Sequence, residues 1–274
     1  MIAYSIGFLH ISVMQKLLLG TKDILSSINH WRFWSYLSWL DIKLRYDQSF
    51  LGPFWITANM LIIIVSMGFL YSQLFNISVS TYLPYLAAGL LIWNFISACI
   101  TDSMDIFNQS KNFIMQTNMP FSTYIFRCIG RNIIIFLHNL LAILPVLLYF
   151  SGLPYFFSST FAFILICLLM FGICGISAIL GTRFNDLKQI TSSILYLLFL
   201  ATPILWDTSL LPNRYVMVSE LNPIYHAINI MRAPLLGKSF PWSSVNAMLL
   251  LIIVTFLIYQ YLLSRVSKRI SFWI

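Results

Sequence analysis

The chain has 274 residues, of which 59% are hydrophobic and only 9% charged, with a mean hydropathy of +0.85 and a formal net charge of +8. So apolar a composition excludes an ordinary soluble domain, in which about a quarter of residues are charged. The positive charge sits at the edges of apolar stretches, a membrane pattern that needs no nucleic-acid partner to explain it.

The first 14 residues are fairly apolar, but Lys16 follows that run instead of preceding it, so an interfacial helix is expected there and not a cleavable signal. Asn29 to Tyr46 sets Trp31, Phe33, Trp34, Tyr36, Leu37, Trp39, Leu40 and Leu44 among Arg32, Asp41, Lys43 and Arg45. This spacing predicts an amphipathic helix lying at the membrane surface, where aromatic rings favour the headgroup level. Gly52 and Pro53 then restart the chain, because proline is tolerated in a first helical turn whose N–H has no partner.

From Phe54 to Phe75 no residue is charged, and those 22 residues would make a helix of roughly 33 Å, enough to cross a hydrocarbon core. Further spans are expected at about 82–105, 121–150, 155–182, 189–206 and 242–264. The fold class is thus an all-α membrane protein of six transmembrane helices, preceded by an amphipathic interfacial helix and with short re-entrant helices before the last span. Residues 1–52 form an N-terminal region, 53–264 the membrane domain and 265–274 a tail.

Six spans put both termini on one side, and the basic residues choose it. Lys16, Lys22, Arg32, Lys43, Arg45, Lys111, Arg127, Arg131, Arg183, Lys188, Arg265, Lys268 and Arg269 fall on that side, leaving Arg214, Arg232 and Lys238 on the other. A multi-pass protein of the cytoplasmic membrane with both termini cytoplasmic is expected.

The connections differ in character. Asn76 to Thr81 and Ser151 to Pro154 are short and uncharged, whereas the second connection mixes Asp102, Asp105, Asn108, Lys111, Asn112 and Gln116 with Ile106, Phe107, Phe113, Ile114 and Met115. A short cytoplasmic helix with one apolar face, suited to a partner protein, fits that mixture; a plain polar loop is the alternative. The segment Ile224 to Leu236 is apolar with Arg232 near its end, and reads as a helix dipping back from the external face.

Chemistry inside the spans is sparse. Gly237, Lys238 and Ser239 imitate the end of a phosphate-binding loop, but Arg232 stands where the motif requires glycine, so no nucleotide site is expected on this chain. Cys99, Cys128, Cys167 and Cys174 lack metal-ligand spacing and read as packing residues. His138 has no acid or second histidine near it in its helix, and His226 reads as an anchor for the segment that carries it. Gly172, Gly175, Ser177, Ala178 and Gly181 make a small-residue face suited to close helix contact.

Arg127 and Arg131, spaced i, i+4, share a helix face, while Asp102 and Asp105 close the second span on the same side. These charges either pair with one another or, with Lys43 and Arg45, hold a phosphate headgroup, and both can be true. Among the 23 Phe, 14 Tyr and 8 Trp, residues Trp55, Phe69, Tyr71, Trp93, Phe95, Tyr196, Phe199 and Trp206 fall within spans and could stack on sugar rings. An intramembrane transferase built on His138 and the edge aspartates is the competing reading.

Several stretches in order resemble one family. They are Arg45 to Trp55, Tyr82 to Phe95, Pro120 to Arg127, Arg131-Asn132 with His138-Asn139, Arg183 to Asp186, Thr202 to Trp206, Asn222-Pro223 and Arg232 to Gly237. Together they resemble the membrane subunit of type-2 ATP-binding-cassette exporters for O-antigen and related cell-surface polysaccharides. The resemblance implies a transport subunit and not an enzyme, working as a homodimer with two copies of a separate ATPase that carries the ATP and Mg, and with no cofactor on this chain. It implies docking of that ATPase at Lys111, Asn112, Phe113, Met115, Asn118 and Pro120, helped by Arg183 and Asp186. The substrate implied is a polysaccharide on an undecaprenyl diphosphate carrier, with Arg45, Arg127 and Arg131 as candidates for the diphosphate and the aromatic set for the glycan path. Capsule, teichoic acid and other lipid or drug export by the same fold share this topology. Asp47 stands where many family members carry a basic residue, which lowers the positive charge of that corner.

Overall fold

A computed structural model describes residues 20–47, 52, 54–208 and 220–274, and all regular structure among them is helical. Residues 20–29 are helical and lead into α1 (Trp31–Tyr46). The long helices that follow are α2 (Phe54–Leu74) and α3 (Val79–Ser103), then, after the short α4 (Ile106–Gln109) and α5 (Lys111–Gln116), α6 (Ser122–Ser151) and α7 (Phe156–Arg183). The chain closes with α8 (Asp186–Ala201), α9 (Pro223–Leu235) and α10 (Trp242–Trp273). The expected interfacial helix in the first 14 residues, the Pro53 helix start and Arg214 lie outside the described residues.

Among the described residues five helices, α2, α3, α6, α7 and α10, are long and apolar enough to cross a membrane. The expected fifth span is shorter: α8 has 16 residues, about 24 Å of helix. Its two ends nevertheless reach the two ends of α3. Lys188 at its start bonds Asp105 just beyond the C-terminus of α3, and the chain leaving it offers the Pro203, Leu205 and Trp206 carbonyls to Tyr82 and Tyr85 in the first turns of α3. Proline in that exit segment explains why the helix stops at Ala201, since Pro203 cannot continue the backbone ladder.

The last helix runs through Trp273, so most of the expected tail at 265–274 continues the helix. The second connection forms two short helices, and Ile224 to Leu236 is largely the helix α9, whose N-cap Asn222 accepts from the Ile224 amide at 2.9 Å.

The core lies where α3 and α7 are sandwiched by their neighbours, and those two helices are the most buried of the five. The small-residue face of α7 meets α10, as its sequence led us to expect: a Cβ on Gly172 would lie 2.5 Å from the Thr255 hydroxyl, and one on Gly175 would strike the Tyr259 ring. Tyr259 is fully buried and its hydroxyl bonds Ser122 Oγ at 2.8 Å, fastening α10 to the start of α6.

The amphipathic α1 is docked against the bundle. Leu37, Ser38 and Ile42 are buried, Trp34 stacks on Phe126 at 5.4 Å, and Ser38 Oγ donates to the Arg127 carbonyl at 2.9 Å. Gly130 allows this approach, because a Cβ there would sit 2.7 Å from Ser38 Oγ. The opposite face keeps Trp31, Tyr36, Trp39 and Leu44 exposed, the aromatic surface expected of an interfacial helix. The helical segment before it is tied down by Asp23, whose carboxylate accepts from the amides of Phe121 and Ser122 at 3.0 and 2.9 Å and so caps α6.

Candidate functional site

An exposed face of α3 carries a polar stripe. On α3, Asn94, Ser97 and Thr101 recur at i, i+3 and i+7, one face of the helix. Ser97 donates to the Trp93 carbonyl at 2.9 Å and Thr101 to the Ser97 carbonyl at 2.8 Å, so each hydroxyl spends its proton on its own helix and turns lone pairs outward.

Two cavities flank this stripe and share Ile63, Asn94, Ser97 and Thr101 among their walls. One, of about 660 Å³, lies between α2, α3 and α6; the other, of about 400 Å³, lies between α2, α3 and α8. Together they form a groove beneath α2, which is itself the least buried of the long helices.

The aromatic candidates divide around this groove. Trp55 and Phe95 line the larger cavity, and Trp93, Tyr196 and Phe199 the smaller, with the Trp93 and Phe199 rings 5.5 Å apart. Phe95 also packs against the stacked pair Phe136 and Phe163, so only part of it faces the cavity. Phe69, Tyr71 and Trp206 line neither: Phe69 is exposed, Tyr71 stacks on Phe75 at 5.7 Å, and the Trp206 indole donates to the Leu200 carbonyl.

At one end of the larger cavity lies a charge network. Arg127 grips Asp41 of α1 with two bonds, Nη2 to Oδ1 at 2.6 Å and Nε to Oδ2 at 2.9 Å. Arg131 reaches Asp102 at 2.8 Å and Asp41 at 3.4 Å, while Asn132 also donates to Asp102. Both arginines are largely buried, with 11% and 7% of their side chains exposed, so each guanidinium is neutralised where it stands. The pairing alternative raised by the sequence holds for Arg131 and Asp102, but Arg127 takes Asp41, and Asp105 takes Lys188. Arg45 is exposed on the cavity wall and makes no ion pair among the described residues.

Asp105 and Lys188 lie 2.5 Å apart at the edge of this network. Partial desolvation works to raise the Asp105 carboxyl, but the bonds from Lys188, Asn108 and Gln109 and the ammonium charge outweigh it and hold the group below its ordinary value.

The residues expected to dock an ATPase share this end of the bundle. Lys111, Asn112, Phe113 and Met115 are exposed on α5, Asn118 is exposed and Pro120 half-buried in the link to α6, and Arg183 and Asp186 are exposed where α7 passes to α8. Phe113 packs edge-on against Phe33 of α1, with the Arg127 guanidinium 5.9 Å from its ring centre.

At the opposite end Arg232 is buried. Its guanidinium donates to the Pro203 carbonyl at 2.8 Å and lies 4.1 Å from the centre of the Tyr85 ring, fixing α9 against the exit of α8. His226 bonds the Glu220 carbonyl and Ser244 Oγ, an anchoring role, and His138 bonds the Ile134 carbonyl of its own helix. No group of three metal-ligating side chains occurs among the described residues.

Sequence reasoning missed two features. Asp41 was one charge among several on an amphipathic helix, with no signal for its partners. The amides of Asn59, Asn94, Asn132 and Asn139, which all line the larger cavity, are uncharged and hide in apolar runs, although Asn132 and Asn139 at i, i+7 share one helix face.

A bundle of long apolar helices bordered by a polar and aromatic groove defines a multi-pass membrane protein. The chain belongs to the ABC-2 type transporter family, whose model matches residues 32–236. It is thus a permease subunit by family. Two O-antigen export system permease proteins RfbA of Klebsiella pneumoniae are 26% and 27% identical to it over 194 residues, covering 67% of this chain and 72% of each relative. A protein of the same name from Myxococcus xanthus is 23% identical over 188 residues, with the same coverage.

Proposed function

We propose that this chain is the membrane permease of an exporter that moves polysaccharide linked to undecaprenyl diphosphate, O-antigen above all, from the cytoplasmic to the external face of the inner membrane. The polar and aromatic groove beneath α2 carries this reading, since hydroxyls and amides on an exposed helix face at membrane depth are costly against lipid and useful along a hydrophilic path. The names of the relatives supply the glycan class.

In this account α8, though short, completes a sixth crossing beside α3, and both termini face the cytoplasm. The permease acts as a homodimer with two ATPase copies, which supply ATP and Mg, and this chain carries no cofactor. Those ATPases dock on α5, the link through Pro120, and the Arg183–Asp186 turn. Arg45 is the open cation for the carrier diphosphate. Arg127 and Arg131 join it only by giving up Asp41 and Asp102 as partners. Trp55, Trp93, Phe95, Tyr196 and Phe199 serve the glycan path from the groove walls, and Phe69, Tyr71 and Trp206 only from outside it.

Deleting the gene in its host tests the reading. Lipid-linked glycan is expected to accumulate inside the cell while surface glycan disappears, and both are restored by the wild-type chain. Unchanged surface glycan would refute the assignment.

A further inference from the structure

The larger cavity has a chemistry that a general path does not require. Three helix faces converge on it: Trp55, Asn59 and Ile63 from α2, Asn94, Ser97 and Thr101 from α3, and Asn132, Phe136 and Asn139 from α6. The carboxamides surround a space of about 660 Å³, within the range of about 300–1,000 Å³ typical of small-ligand sites.

Asn139 is the telling residue. It is 5% exposed and lines the cavity, with its Oδ1 shut away from solvent and without a hydrogen-bond partner in the protein. It stands 17 residues from the start of α6 and 12 from its end, so about 18 Å or more of helix separates it from either end of α6. A carboxamide so far inside an apolar helix costs several kcal/mol unless its groups are bonded, which a small turn of the side chain toward a polar occupant of the cavity would allow.

The donor set narrows what that something is. Amides offer both donors and acceptors without net charge, Ser97 and Thr101 present lone pairs, and Trp55 and Phe136 supply aromatic surface. The charged side chains on its wall are Arg45 and Asp102, the latter already engaged by Arg131 and Asn132. An anion would pair with Arg45 and make no use of four carboxamides, and a hydrocarbon chain would leave the amides unpaired. A neutral ring bearing several hydroxyls fits this lining, its O–H groups bonding the carboxamides and its C–H faces resting on the aromatics.

We propose that the amide-lined cavity between α2, α3 and α6 is a binding subsite for a neutral sugar unit, read by Asn59, Asn94 and Asn139. This rests on the glycan-export reading above and adds that recognition occurs within one protomer.

The test uses the complex with its ATPase in nanodiscs and the thiol introduced by Thr101→Cys, or by Ser97→Cys if the first assembles poorly. The probe is the water-soluble glycan freed by mild acid from the host's own lipid-linked polysaccharide. Maleimide labelling of the thiol is expected to slow about fivefold or more with the glycan present. Adding Asn139→Leu is expected to weaken that protection about tenfold, the cost of one hydrogen bond in a buried site, while the thermal midpoint stays level or rises because Asn139 Oδ1 loses no protein partner. A thiol unreactive without glycan, one the glycan leaves unprotected, one protected equally by undecaprenyl phosphate alone, or protection untouched by Asn139→Leu would each overturn the subsite. Failure of the wild-type complex to export glycan would instead overturn the export reading, so the two failures are separable.

Discussion

Arg131 donates to Asp102 across 2.8 Å, joining the early turns of α6 to the end of α3, and the same guanidinium also reaches Asp41 of the interfacial helix. One buried cation therefore holds three elements at the mouth of the larger cavity, to which Asp102 and Asn132 contribute.

Removing it should be costly. Arg131→Gln leaves Asp102 and Asp41 short of a partner in a site where Arg131 is 7% exposed, and breaking such a buried pair costs about 3–5 kcal/mol. Thermal unfolding of the solubilised protein should show a clear loss of midpoint, larger than for Arg45→Gln, which disturbs no pair among the described residues. Equal midpoints would mean that the network contributes nothing to assembly.

Arg232 gives a second case. Arg232→Leu removes the charged donor from the Pro203 carbonyl, which keeps only the longer bond from Tyr85, and removes the cation from the Tyr85 ring; a hydrogen bond to a charged group contributes about 1.5–3 kcal/mol. Loss of stability is expected together with easier proteolysis between α8 and α9, since this bond fixes the exit of α8.

How much of this was legible beforehand depends on the kind of signal. Long uncharged runs announce spans, so α2, α3, α6, α7 and α10 could be read directly, and Gly172, Gly175 and Gly181 announced the tight face of α7. The α8 boundary was overdrawn, because Thr202 to Trp206 is as apolar as a helix would be but Pro203 and the tyrosine hydroxyls draw its carbonyls away. Partner choice within the charge network was illegible, since Asp41 and Arg127 are 86 positions apart and helix periodicity says nothing at that range. Asn94, Asn132 and Asn139 stood only within the family-like stretches and not as a site, because a search for sites looks for charge, and a carboxamide has none.

The Asp105 and Lys188 contact predicts a pH response. The folded carboxyl titrates below its unfolded value of about 4, so its stabilisation is present above that value and is lost as pH falls through the lower folded value. Unfolding midpoints measured from about pH 6 down to pH 3 should fall more steeply for the wild type than for Asp105→Asn. The difference should shrink in high salt, because more than a third of each side chain is exposed.

The contact of α7 with α10 should be intolerant of added volume. Gly175→Val places a branched side chain against the Tyr259 ring, whose hydroxyl is held by Ser122, and overpacking of this kind costs about 1–3 kcal/mol. Lower yield of folded protein and a reduced midpoint are expected, with Cys167→Val, at a half-buried site on the same helix, as a mild control.

The most direct measurement is transport by purified parts. The chain should be reconstituted in vesicles with and without its partner ATPase, with lipid-linked glycan in the membrane, and the glycan reaching the opposite face counted with a lectin. Translocation that needs the chain, the ATPase and hydrolysable ATP together is the result expected. Glycan crossing without the ATPase, or chemical conversion of the lipid-linked glycan by this chain alone, would contradict the account.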